Sequence, residues 1–262
     1  MPVATVLQTF PKFIQPHCKD SSEFFRTHNF SEKGTVVWLD YTSAEDLNEQ
    51  LNEFHGVVAK LDTYDVAKIT LNASTLGLGQ FSEIPEIQRA VKRRETLRAR
   101  IPTFAPADLT DKDFQTKNYP TTLQRCVQNS LHDLSARNTE LYFHPLSTFS
   151  YADGQTMLTI TGMVFKASDD ARVKQFIANS RLDKWPFANL EWTPPMSINM
   201  PALSAKERMK LDECLPIDEE AVKNPADHLK KHLGFVPGAN DGELSNYAKY
   251  YRQYPHFSRV IL

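Results

Sequence analysis

The feature that most constrains this chain is a strand–helix–strand pattern between residues 35 and 72. Residues 35–39 (TVVWL) form an apolar, β-rich run, as is typical of a parallel strand that is buried on both faces. A helix is predicted over residues 44–61, with Ser43 as its N-cap, because apolar residues recur there with helical spacing. Residues 64–71 (YDVAKITL) predict a second strand that ends at Asn72. Two strands joined by one helix form a βαβ unit, so we expect these strands to be parallel.

The segments that follow predict that this unit belongs to a larger mixed sheet. Helices are predicted over residues 83–100 and near residues 120–135. Two β-rich runs, residues 140–149 and 155–166, then flank an Asp-Gly dipeptide, which is typical of hairpin turns. We therefore expect an α/β fold with a Rossmann-like mixed sheet, parallel at its centre and ending in a C-terminal antiparallel hairpin.

The composition of the sequence changes after the predicted hairpin, which suggests a second domain. Prolines interrupt the segment after residue 168, and Ser204 with Glu207 has the spacing of a capping box. Two further helices are predicted over residues 225–233 and 241–252. We expect residues 1–167 to form the α/β domain and residues 168–262 to form a small, mostly helical C-terminal appendage.

Composition excludes several classes of protein. No apolar run approaches the ~20 residues that span a bilayer, and the N-terminus is too polar for a signal peptide. The three cysteines lack CxxC spacing, which indicates neither a disulfide framework nor a zinc cluster. The net charge of −2 gives no general attraction to nucleic acid. These features predict a cytoplasmic protein without a metal site and without membrane attachment.

Polar residues follow both strands of the βαβ unit. Asp40 and Tyr41 end the first strand, and Asn72 ends the second. Ligands of open α/β sheets bind beyond the carboxyl ends of parallel strands, so these side chains are expected to face one crevice. The ordinary alternative is that Asp40 caps the following helix and Asn72 closes a turn.

Phosphate-binding glycine motifs are missing, but one helix is strongly basic. The chain contains neither GxGxxG nor GxxxxGK[ST], and the turn at residues 76–79 (LGLG) reads as a loop without a ligand. The predicted helix over residues 83–100 carries six cations that could neutralise the phosphates of a nucleic acid: Arg89, Lys92, Arg93, Arg94, Arg98 and Arg100. The ordinary alternative is a solvated face that pairs with acids elsewhere in the fold.

The order of elements resembles the second half of class I S-adenosylmethionine-dependent methyltransferases. The segment TVVWLDYTS stands where that family carries its fourth-strand motif, and the last two strands of that fold form an antiparallel edge. Four stretches are also similar to a bacterial group of O-methyltransferase-like proteins: FPKFI, VVWLDYTS, ITLNAS and YYRQYPHF. The acidic–aromatic pair lacks the prolines of the amino-methylating pattern [ND]-P-P-[YF].

The resemblance implies a site and a cofactor. Asp40 and Tyr41 would be the catalytic residues that face the acceptor, with Trp38, Thr42 and Asn72 as substrate-binding residues. The family holds S-adenosylmethionine with its first two strands, and only about 34 residues precede the first strand here. The cofactor half is therefore expected to be absent, degenerate or supplied by a protein partner.

Three functions follow as expectations. The first is a methyltransferase-like transferase, inactive alone or part of a split enzyme, in which Asp40 orients or deprotonates an unknown acceptor. The second is a non-enzymatic component of a bacterial defence or mobile-element system, which binds nucleic acid or protein through the basic helix and the tyrosine-rich C-terminal tail. The third is a hydrolase whose site is assembled only in space.

Overall fold

The structure is a computed structural model that describes residues 13–30, 34–136, 141–166, 168, 170–217, 223–234 and 238–253. The chain forms two compact units. The first holds the described residues up to Phe149 together with Gln155–Pro195, and the second holds Ser150–Gly154 and the described residues from Met196 onward. The predicted boundary after residue 167 lies inside the first unit, and the division into domains stays a prediction.

The predicted βαβ unit is present. A short helix α1 (Ser21–Thr27), capped by the Asp20 side chain, precedes it. Strand β1 (Val36–Asp40), helix α2 (Leu47–Val58) and strand β2 (Val66–Asn72) follow, and the two strands are parallel. This pairing confirms the central expectation from the sequence.

Helix α2 begins later than the sequence suggested, so Ser43 as its N-cap was wrong. Asp46 occupies the cap position. The Ser43 hydroxyl instead accepts the backbone N–H of Glu45 (3.3 Å), and its carbonyl accepts a bond from the Gln50 side chain (2.7 Å). Ser43 therefore fixes the loop before the helix, a role that a short polar side chain fills as readily as a cap.

The described residues cover strand β1 on one face only, which corrects the expectation of burial on both faces. Val37 and Leu39 are buried, whereas Val36, Trp38 and Asp40 on the opposite face are exposed. The apolar run predicted a strand correctly, but it could not reveal which face the rest of the chain covers.

The sheet is mixed, as predicted. Strands β3 (Leu141–Asp153) and β4 (Gln155–Lys166) are joined at Gly154, whose φ of 69° suits a glycine at a tight turn. With β5 (Met196–Ile198), the strand order is β1-β2-β4-β3-β5, and β2 pairs with β4 antiparallel. The hairpin and the Rossmann-like class are confirmed. The parallel pair lies at one end of this order rather than at its centre.

Helices on one face of the sheet hold the strand ends in place. Helices α3 (Glu86–Arg100) and α4 (Tyr119–Ala136) share a core with α2 and the sheet. Fully buried members of this core include Phe54, Ile69, Leu97, Leu123 and Ile160. Burial of each such side chain stabilises the fold by ~1.5–3 kcal/mol. A separate cluster packs α5 (Asp170–Ser180) against β3 and β4 through Val173, Phe165 and Leu146.

The second unit is built mainly from helices α6 (Ala205–Asp212), α7 (Pro225–Leu233) and α8 (Asp241–Tyr250). The predicted capping box is confirmed, because the Ser204 hydroxyl accepts the Glu207 N–H and the Glu207 carboxylate accepts the Ser204 N–H. Part of the YYRQYPHF stretch, from residue 254, lies outside the described residues, as do residues 10–12 of FPKFI. No helix within the described part of the chain is long and apolar enough to cross a membrane.

Candidate functional site

A hollow lies beside the Asp40-Tyr41 step at the carboxyl end of β1. Its volume is about 340 Å³, which falls within the ~300–1,000 Å³ of small-molecule sites. Residues 38–41 line it from β1, and His17, Lys19, Ser21, Phe24 and Phe25 line it from α1 and the segment before α1. The strand end that the sequence singled out therefore borders a space of ligand size.

Asp40 contributes an accessible carboxylate to this hollow. Its residue is exposed and ends β1. It does not cap α2, because Asp46 holds that position. Among the residues that the structure describes, nothing forms a hydrogen bond or an ion pair with the Asp40 carboxylate, so it is available to a ligand.

Tyr41 is engaged by a second carboxylate. Its hydroxyl donates to Glu53 Oε2 at 2.8 Å, and the Ser21 hydroxyl donates to the same oxygen at 3.0 Å. Burial, the hydrogen bond to Glu53 and the charge of Glu53 together raise the pKa of Tyr41 well above its usual value. The phenol therefore keeps its proton at neutral pH and donates a hydrogen bond to Glu53. Glu53 thus holds the Tyr41 hydroxyl, and the catalytic role predicted for Tyr41 stays a prediction.

Trp38 is exposed and yet firmly held. The indole N–H donates to Thr70 Oγ1 at 3.0 Å. Lys68 places its ammonium 3.9 Å from the centroid of the ring, within cation–π distance. Despite these contacts 56 % of the residue is accessible to solvent. The ring is thus fixed in orientation beside the hollow.

Asn72 connects the loops after β1 and β2 with the first residue of β4. Its amide donates to the Thr42 carbonyl (2.9 Å) and to the Gln155 side chain, and its oxygen accepts the Ser74 N–H (3.0 Å). Neither Asn72 nor Thr42 lines the hollow as described above. The turn-closing alternative for Asn72 is therefore present in the structure, and the substrate-binding roles of both residues stay predictions.

The two glycines after β2 are used for packing. A Cβ on Gly77 would come within 2.3 Å of the Ala44 Cβ, and one on Gly79 would meet the Phe81 ring at 2.4 Å. Both positions are filled by the chain itself, so this turn leaves no cradle for a cofactor. The hollow is also lined by a single acid, Asp40. The described residues around the hollow therefore do not fit a complete S-adenosylmethionine site.

Five of the six cations of the basic helix α3 have partners among the described residues. Arg94 pairs with Asp111 at 2.8 Å and Lys92 with Glu95 at 2.9 Å. Three guanidinium groups donate to backbone carbonyls: Arg89 to Ile84 and Ser82, Arg98 to Ala107, and Arg100 to Ala44 and Gly77. Partial burial and the charge of Arg89 lower the pKa of Arg93. These contacts favour the ordinary alternative, a face that pairs within the fold, and nucleic-acid binding stays a prediction.

The sequence did not predict the part of the hollow that α1 and the segment before it line. His17, Lys19, Phe24 and Phe25 precede the βαβ unit, and no spacing links them to Asp40. Glu53 was part of the predicted helix, but only the fold brings it to Tyr41. Within the described part of the chain no cluster of histidine, cysteine and acidic residues is suited to a metal ion.

The fold and the hollow define a Rossmann-like α/β protein with a ligand-sized site at a strand end. The chain belongs to the family described as "Putative O-methyltransferase", whose model matches residues 11–262. This match extends over both compact units. No curated protein matches the chain.

Proposed function

We propose that this chain is the acceptor-binding part of an O-methyltransferase, in which Asp40 accepts the proton of an acceptor hydroxyl. The observation that carries the proposal is the accessible Asp40 carboxylate in a hollow of about 340 Å³ at the end of β1. Membership of the O-methyltransferase family supplies the reaction class. A carboxylate that takes a proton in this way contributes ~10²–10⁴-fold to a rate.

The residues around Asp40 have different roles in this proposal. The Tyr41 hydroxyl donates its hydrogen bond to Glu53, so its oxygen is left to accept a bond from the ligand and help to orient it. Trp38 and the two phenylalanines of α1 provide apolar surface on which part of a ligand can pack. Asp40 is then the one acid lining the described hollow that is free to act as a base.

The family generally uses S-adenosylmethionine as its methyl donor. We assign the donor to residues outside the hollow, because its described lining has neither an open glycine turn nor a second acid. Those residues belong either to other parts of this chain or to a partner polypeptide.

Methyl transfer can be tested without knowing the acceptor. Clarified lysate of the source cells supplies acceptors and partners, and S-adenosylmethionine labelled in its methyl group supplies the donor. Adding the purified chain is expected to produce a labelled small molecule that is absent without it. Calorimetry with S-adenosylhomocysteine then distinguishes a donor site on this chain, which gives heat alone, from one on a partner. The absence of any product that depends on the chain would overturn the proposal.

A further inference from the structure

The hollow is lined mainly by rings. His17 and Phe24 lie with their ring centroids 5.2 Å apart, and Phe24 meets Phe25 edge to face at 5.5 Å. Trp38 faces the same space from β1. With Tyr41, five rings from the segment before α1, from α1 and from the β1 end therefore border one space. Aromatic surfaces of this kind bind flat rings with defined geometry.

Trp38 is the central residue of this aromatic wall because its side chain is held in one orientation without a ligand. Thr70 Oγ1 accepts its indole N–H at 3.0 Å, and the Thr70 hydroxyl is itself 3.2 Å from that of Thr159. Both threonines are buried. A ring that is anchored at its polar edge and still 56 % exposed loses little conformational freedom when a ligand packs on it.

The polar groups of the hollow lie at the end of this aromatic wall. Asp40 is two residues beyond Trp38 on the same strand, and both point to the exposed face. A flat ligand packed on Trp38 would thus direct a group on its rim toward the Asp40 carboxylate. An alcohol on an aromatic ring satisfies both surfaces at once.

We propose that the acceptor is a phenol, whose ring packs on Trp38 and whose hydroxyl donates to Asp40. This inference rests on the proposed function, since it names the class of substrate for the same site. A saturated alcohol of equal size would bury similar apolar area, but it would lack the ring–ring contribution.

A matched pair of ligands tests the inference by binding alone, with no methyl donor present. Ligand-observed NMR titrations with 4-ethylphenol and 4-ethylcyclohexanol give the two dissociation constants. The phenol is expected to bind about 2- to 12-fold more tightly, which is the size of a ring–ring contribution. Equal or weaker binding of the phenol would overturn the inference.

Three variants test whether Trp38 causes the preference for the phenol over the saturated alcohol. Trp38→Leu should abolish the preference, whereas Trp38→Phe should keep part of it because a ring remains. Trp185→Leu removes another exposed tryptophan of the first unit, 40 % accessible, and should keep the whole preference. Circular dichroism of each variant confirms that it is folded. A preference that survives in Trp38→Leu would contradict the assignment.

The outcomes separate this inference from the proposed function. Preferential phenol binding without any methyl transfer in the lysate assay would remove the enzymatic function and leave an aromatic-ligand site. Methyl transfer to saturated alcohols alone would support the function and overturn the phenol assignment.

Discussion

Replacing Tyr41 by phenylalanine should destabilise the first compact unit through a single lost hydrogen bond. The Tyr41 hydroxyl donates to Glu53 Oε2 at 2.8 Å, and the other carboxylate oxygen of Glu53 is buried without a partner among the described residues. A hydrogen bond to a charged group contributes ~1.5–3 kcal/mol. We expect Tyr41→Phe to lower the free energy of unfolding by about this amount, because only the Ser21 hydroxyl would still donate to the carboxylate.

Urea unfolding followed by tryptophan fluorescence measures this change in the relevant unit. The chain has three tryptophans, and Trp38, Trp185 and Trp192 all lie in the first unit. Tyr64→Phe is the matched control, since its hydroxyl makes no hydrogen bond within the described residues and its loss should change stability by less than ~0.5 kcal/mol. A double-mutant cycle with Glu53→Gln should give a coupling of ~0.5–3 kcal/mol.

The same pair predicts an alkaline transition. Because the pKa of Tyr41 is raised in the fold, the folded state holds its proton at a pH where the unfolded chain has released it. The stabilisation is complete below pH ~10, the pKa of an unfolded tyrosine, and declines as the pH rises beyond it. Tyr41→Phe should flatten this decline. A variant as stable as the wild type at neutral pH, with no coupling to Glu53, would refute the reasoning.

Three further predictions concern stability and reactivity. Gly77→Ala should overpack the core and lower the free energy of unfolding by ~1–3 kcal/mol, seen as a lower urea midpoint. Gly56→Ala is the control, because it lies in a helix with open space around it and should raise the free energy of unfolding by ~0.4–1 kcal/mol. Equal effects of the two substitutions would contradict the packing account. Burial lowers the pKa of His144, so the free energy of unfolding should fall as the pH drops below ~6.5. His144→Phe should flatten that fall. The same pH profile in the variant and the wild type would contradict this role of His144. Burial raises the pKa of the Cys126 thiol to about 12, so Ellman's reagent should spare it in the folded chain. Cys18 is exposed, and Cys18→Ser should remove the fast phase of that reaction; a fast phase from Cys126 would show that its burial is wrong.

Local patterns predicted the elements that depend on local physics. The apolar spacing of α2, the β-rich runs and the Asp-Gly turn predicted the βαβ unit and the hairpin because these signals act within a few residues. Which face of a strand the rest of the chain covers does not depend on local sequence. Residues 35–39 read as fully buried, yet Trp38 is exposed because no described element covers that face of β1.

The candidate site was predictable to the extent that it lies on β1. Asp40 and Tyr41 were found from their place at a strand end, and a hollow lies there. The aromatic wall from α1 and the Glu53 carboxylate come from separate parts of the chain and meet only in the fold. For the basic helix the sequence left two interpretations open, because a run of cations does not reveal its partners; in the fold Arg94 and Arg100 bind groups of the same chain.

Turnover by Asp40→Asn, with the acceptor that the lysate assay yields, tests the central claim most directly. The substitution keeps the size of the side chain and removes its ability to take a proton. We predict turnover ~10²–10⁴-fold below wild type with little change in the affinity for the acceptor. Glu49→Gln removes an exposed acid of α2 that makes no ion pair within the described residues, and it should retain wild-type turnover. Wild-type turnover by Asp40→Asn would contradict the assignment of Asp40 as the base.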